Sequence, residues 1–283
     1  MRIAGFDRPN IHPTVRPVSG EGEKQRVLPS LVRDRRALVY TATRARAEAA
    51  AAVLHAAGID AAAYHGGMPE AARTRVQDRF ASGELRVVCA TNAFGMGIDR
   101  PDVEAVIHAD LPGSIEAYYQ EIGRAGRDGR PATATLLWTY ADVKTREFLI
   151  DHAREDDARR SRADIDREEF DRRKALAHTK LRRMIAYAET AACLRATILR
   201  YFGDPEAREP CGACGTCDRR ERIGEADRVL VRKILSGVAR SRRPYGRRKI
   251  AGMLAGHTEG QPEDLTRLST TGLLCDCVTT RRG

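Results

Sequence analysis

Apolar residues follow a regular pattern from Arg36 onward, where short apolar runs alternate with longer amphipathic stretches. The apolar runs predict strands at residues 37–43, 59–66, 85–91, 103–110 and 132–140. The amphipathic stretches between them predict helices at residues 44–57, 69–81 and 114–125, with Ser114 as the N-cap of the last. Strands that alternate with helices indicate an α/β fold whose parallel sheet is covered on both faces.

The flanking regions have different patterns. Residues 1–30 are polar and interrupted by Pro9, Pro13, Pro17 and Pro29, so they are expected to form a linker that buries no core. Residues 142–173 are highly charged and predict a solvated helical connector, with a domain boundary near Ile150. Residues 176–202 and 225–239 return to a helical apolar pattern.

Polar and small residues follow the predicted strands at the points where the strands end. In a parallel sheet these carboxyl ends lie along one edge, where ligands of such folds bind. Hydroxyl and backbone N–H groups there are suited to phosphate contacts. The candidate nucleic-acid-binding residues are Thr41, Thr43, His65, Gly66 and Thr91. The alternative is that each belongs to an ordinary turn between strand and helix.

Two arginines, Arg124 and Arg127, lie in the stretch QEIGRAGRDGR at residues 120–130. Three residues span nearly one helical turn, so a continuous helix would direct both guanidiniums the same way. Two like charges directed at one place favour an anion between them, and guanidinium matches phosphate oxygens in bidentate geometry. The alternative is a solvated basic end of a helix.

Three cysteines follow a C-x₂-C-x₂-C spacing at Cys211, Cys214 and Cys217, and Cys193 lies upstream in a predicted helix. Four thiolates can close a tetrahedral structural zinc site that leaves no open position for catalysis. The spacing is also compatible with an iron–sulfur cluster. Cys89 is expected in the core, and Cys275 and Cys277 are interpreted as incidental.

Charge adds a class of partner to this picture. Lys plus Arg number 49 against 39 Asp plus Glu, giving a formal net charge of +10, which favours a polyanion such as nucleic acid. No apolar run is long enough to predict a membrane span, and the N-terminus has no signal-peptide pattern. A cytoplasmic, nucleoid-associated location is therefore expected, where cysteine clusters bind metal more often than they form disulfides.

Several motifs, in this order, resemble those of the RecQ family of superfamily 2 DNA helicases. FDRPNI resembles the end of the family's first RecA-like lobe, and VYTATRARAE, AAYHGGM and ATNAFGMGID resemble motifs of its second lobe. YYQEIGRAGRDG resembles motif VI, and the stretch from CLRATILRYFGD to CGACGTC resembles the family's zinc-binding subdomain. The similarity covers essentially the whole chain.

The resemblance implies a domain order and a set of roles. It divides the chain into an interlobe linker at 1–30, a RecA-like helicase C-terminal lobe at 31–150, a helical zinc-binding subdomain at 151–222 and a truncated winged helix at 223–283. It implies 3′-to-5′ ATP-dependent DNA unwinding in repair and recombination, on single strands and junctions. Arg124 and Arg127 would act on the γ-phosphate, Gln120, Asp99 and Gly97 would sense the nucleotide, and the four cysteines would hold Zn²⁺.

The sequence departs from that family in one respect. A helicase's first lobe carries a G-x-x-x-x-G-K-[ST] loop and an acidic Mg²⁺ motif, and neither pattern occurs here. ATP and Mg²⁺ are therefore expected to bind jointly with a missing N-terminal lobe, supplied in cis or in trans, and this chain alone is expected to be inactive. The alternative function is a standalone zinc-containing nucleic-acid-binding module without ATPase activity.

Overall fold

The structure is a computed structural model, and it describes residues 5–94, 100–152, 167–221, 224–241 and 243–274. The chain divides into two compact units, Met1–Asp218 and Arg219–Gly283. Within the described residues, no helix combines the length and the apolar character that crossing a membrane requires.

The first unit contains a six-stranded parallel sheet in the order β1-β6-β5-β2-β4-β3. Its strands are β1 (Ile11–Pro17), β2 (Ala37–Tyr40), β3 (Ala61–Tyr64), β4 (Val87–Ala90), β5 (Ala105–His108) and β6 (Ala132–Trp138). Strands β2 to β6 lie where the apolar runs predict them, which confirms the parallel α/β fold.

Helices connect these strands and continue after the sheet. In the first unit they are α1 (Glu21–Val32), α2 (Arg44–Ala56), α3 (Glu70–Ser82), α4 (Ile115–Ile122), α5 (Tyr140–Asp151), α6 (Arg167–Glu189) and α7 (Leu194–Tyr201). Helix α8 (Gly215–Glu221) contains Cys217 and also Asp218, the last residue of the first unit.

Strand β1 and helix α1 correct the expectation of a linker over residues 1–30. Strand β1 pairs with β6 from Ile11 opposite Ala132 to Pro17 opposite Trp138. Along β1 buried and half-buried residues alternate from Ile11 to Val15, as in a strand with one face on a core. The prolines are tolerated because β1 is an edge strand, where a missing N–H costs less than in the sheet interior.

The apolar core crosses the boundary predicted near Ile150. One cluster of buried residues joins sheet and helix residues such as Leu136 and Tyr118 to Leu181, Met184 and Cys193. The lobe and the helices around the cysteines therefore share one core, and the division between compact units falls after Asp218 instead.

The second unit contains α9 (Glu225–Arg240), α10 (Arg247–Leu254) and α11 (Glu263–Thr266). A small core of Ile250, Met253, Leu254 and Leu265 holds α10 and α11 together. Residues 224–241 and 243–274, as far as they are described, contain no strand. The truncated winged helix at 223–283 therefore stays a prediction.

Candidate phosphate-facing loop and metal centre

Helix α4 leads into the arginine pair. The Ser114 hydroxyl accepts a hydrogen bond from the Ala117 N–H at 3.1 Å, which confirms Ser114 as the N-cap. The helix ends at Ile122, and Arg124 and Arg127 lie in the turns that follow it. The predicted common helical face is therefore wrong, because Gly126 between them adopts a φ of 57°, which no helix can continue through.

The loop nevertheless brings both arginines near one buried hydroxyl. Tyr40, at the end of β2, is 3% exposed, and its hydroxyl donates to the Phe94 carbonyl at 3.3 Å. Burial raises the pKa of Tyr40, while the positive charges of Arg124 and Arg127 act in the opposite direction. Arg124 is half-buried and Arg127 is exposed, so the pair extends from the end of the sheet towards the surface.

The backbone of this loop is fixed by two side chains from the segment before β1. Arg8 donates from Nη1 to the Gly123 carbonyl at 3.2 Å and from Nη2 to the Ala125 carbonyl at 3.1 Å. Asn10 Nδ2 donates to the Gly126 carbonyl at 2.7 Å and to the Arg130 carbonyl at 2.9 Å. The motif FDRPNI includes Arg8 and Asn10. Because the sequence pattern of residues 1–30 indicates a linker, it does not predict their contacts with this loop.

Of the three residues predicted to sense the nucleotide, the structure describes one. Gln120 lies on α4 and is exposed. Gly97 and Asp99 lie outside the described residues, as do Cys275 and Cys277. Contacts of Gln120, Gly97 and Asp99 with a nucleotide therefore remain predictions.

The predicted nucleic-acid-binding residues do lie together at the carboxyl ends of β2, β3 and β4. Two of the hydroxyls already have backbone partners: Thr41 donates to the Thr43 carbonyl at 3.2 Å, and Thr43 caps α2 by accepting from the Arg46 N–H at 3.3 Å. His65 is 6% exposed, and its Nε2 lies 3.0 Å from Glu48 Oε1.

Gly66 and Thr91 complete this edge. Gly66 is exposed and has nothing within 4 Å of the position that a Cβ would occupy, so its backbone is open to close approach. The Thr91 N–H donates to the Tyr64 carbonyl at 3.2 Å, which joins the ends of β3 and β4. Four of the five predicted residues thus carry structural contacts at the edge, and Gly66 offers the most accessible backbone.

A buried charge network that the sequence pattern did not reveal supports the same edge. Lys24 on α1 lies 3.0 Å from Asp110 and 2.6 Å from Asp142, and all three side chains are at most 3% exposed. Arg46 on α2 also pairs with Asp110. Asp110 follows β5 and accepts from the Ala42 N–H at 2.7 Å, so the network connects α1, α2 and α5 to the strand ends.

The four predicted metal ligands meet at one place. The Sγ atoms of Cys193, Cys211, Cys214 and Cys217 all lie within 4.8 Å of one another. The Cys193–Cys214 and Cys211–Cys217 sulfur pairs are each 3.9 Å apart. Zinc–thiolate bonds of ~2.3 Å in a tetrahedron place sulfurs roughly 3.8 Å apart, so this donor set fits one Zn²⁺ ion.

The backbone around the cysteines favours thiolate at one of them. Burial disfavours the charged form of Cys214, but hydrogen bonds from the Cys217, Leu194 and Thr216 backbone lower its pKa to about 6. Burial raises the pKa of Cys211 to about 12, and the neighbouring thiols Cys193 and Cys214 add to that shift. Negative charge on neighbouring cysteine sulfurs is mutually repulsive, and a cation at the centre of the four sulfurs would relieve that repulsion.

Comparison with known proteins agrees with this geometry. Residues 23–129 match the family described as Helicase conserved C-terminal domain, and residues 140–218 match the family described as RecQ zinc-binding. ATP-dependent DNA helicase RecQ of Bacillus subtilis is 35% identical over 275 residues, which cover 95% of this chain and 43% of that protein. The chain belongs to the RecQ helicase family.

Other relatives show the same partial coverage. The RecQ helicase of Haemophilus influenzae is 35% identical over 262 residues, or 90% of this chain and 38% of that protein. This RecQ-family chain thus spans less than half the length of the curated relatives it matches. Among solved structures, the DEAD-box protein SrmB of E. coli overlaps 45% of this chain and 77% of its own at 32% identity, with a TM-score of 0.43.

Proposed function

We propose that this chain forms the second motor lobe and the zinc module of a RecQ-type 3′-to-5′ ATP-dependent DNA helicase that acts in repair and recombination. The observation that carries the proposal is the loop after α4, which carries the half-buried Arg124 and the exposed Arg127 and whose backbone is held by Arg8 and Asn10. An ATP-binding lobe, in cis or in trans, completes the enzyme.

In this proposal Arg124 and Arg127 stabilise the negative charge that develops on the γ-phosphate during its transfer. Guanidinium suits this task because it stays charged at every relevant pH and donates in a planar fork. ATP and Mg²⁺ bind mainly to the other lobe, and Gln120, Gly97 and Asp99 report the state of the nucleotide. Donors fixed in place before the reaction need no reorganisation during it.

The carboxyl edge of the sheet then grips one DNA strand through its phosphates. Gly66 offers open backbone, His65 precedes it after β3, and Thr91 lies at the end of the neighbouring strand β4. Thr41 and Thr43 shape the edge through their backbone hydrogen bonds. Changes in the gap between lobes during hydrolysis move this grip along the strand. Single strands and junctions are the proposed substrates, in the cytoplasm at the nucleoid.

The four cysteines hold Zn²⁺ in this proposal as a structural ion. Four thiolates fill a tetrahedral coordination sphere, which leaves no position for substrate. Cys193, at the start of α7, connects the cysteine-rich turn to the core that the zinc module shares with the lobe.

The test supplies the missing lobe. The portion of the Bacillus subtilis relative that precedes its match to this chain is fused ahead of the chain, and DNA-stimulated ATP hydrolysis is measured. We expect turnover in the fusion and none in this chain alone, and we expect Arg127→Ala to reduce kcat roughly 10³-fold or more. Arg130→Ala is the matched control, since that side chain lies in the same loop and is 84% exposed.

One outcome would favour a standalone nucleic-acid-binding module instead. In that case the chain binds single-stranded DNA with steep salt dependence, the fusion shows no DNA-stimulated hydrolysis, and Arg127→Ala changes no measured activity.

A further inference from the structure

Arg195, on α7 two residues after the metal ligand Cys193, gathers an unusual set of acceptors. Its side chain is 11% exposed, and Nη1 donates to the Asp7 carboxylate at 2.7 Å and to the Arg8 carbonyl at 2.8 Å. Nη2 donates to the carbonyls of Pro9 at 3.2 Å, Ile11 at 2.7 Å and Ala213 at 3.4 Å. Ala213 lies in the cysteine-rich turn, so one guanidinium joins that turn to residues 7–11.

The same segment also contacts the loop that carries the arginine pair. We call residues 6–11 the splint segment and residues 123–130 the finger loop. Arg8 and Asn10 of the splint segment donate to carbonyls of the finger loop that flank Arg124 and Arg127. Arg8 Nη2 also donates to the Gly126 carbonyl at 3.3 Å. Charge-assisted hydrogen bonds of this kind are about twice as strong as neutral ones.

Aromatic packing joins the splint segment to the end of α7 and to α4, the helix that precedes the finger loop. Phe6 of the splint segment stacks on Phe202, just past α7, with ring centroids 4.9 Å apart. Tyr119 of α4 packs on Phe202 at 4.8 Å, and its hydroxyl donates to the Phe6 carbonyl at 2.6 Å. The Phe6 N–H donates to Asp204 at 3.0 Å. The splint segment therefore lies between the zinc module and the helix that leads into the finger loop.

We propose that the splint segment couples the zinc module to the finger loop, with Arg195, Arg8 and Asn10 as positioning residues for Arg124 and Arg127. The role of the two arginines in catalysis rests on the proposed function, whereas the coupling rests on the contacts alone. A catalytic group displaced by 1 Å can lose roughly 10²-fold in rate, so a loosened splint segment reduces catalysis without removing any catalytic side chain.

The direct test is hydrogen–deuterium exchange on this chain with zinc bound and no nucleotide. In Arg195→Ala we expect exchange to accelerate ~10-fold or more in peptides covering both 6–11 and 123–130, with zinc content unchanged. The Gly126 N–H, which donates to the Val103 carbonyl at 2.8 Å, is a suitable reporter in the finger loop. Arg182→Ala on α6 is the matched control, because its side chain is exposed and donates to the Thr179 hydroxyl of the same helix at 2.9 Å.

A second variant keeps the test decisive if Arg195→Ala loses zinc. Arg8→Ala lies outside the zinc module and should loosen 123–130 with full zinc content, while Arg8→Lys restores part of the protection. Unchanged exchange in the finger loop of Arg8→Ala, or faster exchange at 6–11 alone in zinc-loaded Arg195→Ala, would overturn the coupling.

The fused enzyme provides the catalytic readout. We expect Arg195→Ala to lower kcat ~10-fold with the KM for ATP within about twofold, because the arginines act on the transition state. If the unaltered fusion shows no ATP hydrolysis, the proposed function fails, and the exchange experiment still decides the coupling. If kcat stays unchanged in Arg195→Ala while the finger loop is loosened, the proposed positioning role is wrong.

Discussion

Lys24 Nζ lies 2.6 Å from Asp142 Oδ1, and the two side chains are only 3% and 1% exposed. Lys24 belongs to α1, whereas Asp142 forms a capping box with Thr139 at the start of α5. The pair joins two helices from distant parts of the chain at the carboxyl edge of the sheet. A buried ion pair of this kind stabilises a fold mainly because either charge, left alone, is very costly.

Lys24→Met tests this ion pair. Burial disfavours the carboxylate of Asp110, but Lys24, the Ala42 N–H and Arg46 hold its pKa below the usual value. Removing the lysine leaves two buried carboxylates with Arg46 and the electrostatic influence of Arg146, so we expect a loss of about 3–5 kcal/mol in the free energy of unfolding, measured with urea. Lys144→Met, at an exposed pair with Glu147, should leave the midpoint unchanged. Equal midpoints for the two variants would show that Lys24 has no such role.

Cys211→Ser tests the metal centre. One lost thiolate leaves three ligands, so we expect zinc to fall from about one ion per chain to almost none and the folded state to lose the free energy of metal binding. Because Cys193 and Cys214 belong to the core shared with Leu181 and Met184, thermal unfolding of the whole first unit should begin at lower temperature.

Cys89→Ala is the matched control for that experiment. Cys89 is completely buried in β4, outside the cluster of four sulfurs. Its substitution should cost about 1–2 kcal/mol from the small cavity and leave zinc at one ion per chain. A Cys211→Ser protein that retains zinc and the original unfolding temperature would contradict the ligand assignment.

The sequence predicted the parts of the fold whose periodicity is local. Strands β2, β4 and β5 are short apolar runs that are buried throughout, and Cys211, Cys214 and Cys217 are spaced three residues apart, so neither feature needs long-range information. Strand β1 was missed because its prolines resemble a linker, and only its pairing with β6 reveals the alternation of buried residues.

The sequence predicted which residue types form the candidate site, but it did not predict the contacts that hold them in place. Arg124 and Arg127 lie in the turns after α4, on either side of Gly126 with its positive φ, and not on a common helical face. Their backbone is held by Arg8 and Asn10, more than a hundred residues earlier, and no periodic pattern connects positions that far apart. The buried network of Lys24, Asp110 and Asp142 was not predicted either, because its residues are also far apart in the sequence and charged residues usually lie in solvent.

Acid stability provides a prediction about Glu116 in the first turn of α4. Burial raises its pKa, but hydrogen bonds from its own backbone N–H, Lys180, Ser114 and Tyr201 outweigh burial and lower the pKa from 4.5 to about 2. A pKa lowered by folding contributes stability that is complete above pH 4.5 and is lost as the pH falls towards 2.

Glu116→Gln should therefore flatten the acid limb of the stability curve between those two pH values. The full shift corresponds to about 3 kcal/mol, but the side chain is 32% exposed, and solvent screening reduces the expected difference to about 1 kcal/mol. Urea midpoints from pH 2.5 to 7 measure it. Glu169→Gln, at an exposed pair with Arg173, serves as control, and an acid limb of unchanged slope in Glu116→Gln would contradict the prediction.

The finger loop contains two glycines with positive φ, Gly126 at 57° and Gly129 at 82°, and they separate backbone strain from crowding. A Cβ on Gly129 would have nothing within 4 Å, so Gly129→Ala should cost only the strain of the left-handed conformation, about 1 kcal/mol.

A Cβ on Gly126 would overlap Asn10 Nδ2 and approach the Arg130 carbonyl oxygen to 2.9 Å. Gly126→Ala should therefore cost about 3 kcal/mol and expel Asn10 from its two carbonyls. Urea unfolding measures both costs, and exchange at residues 123–130 should accelerate strongly in Gly126→Ala alone. If the two variants lose equal stability and equal protection, strain accounts for both, and Asn10 does not hold the loop.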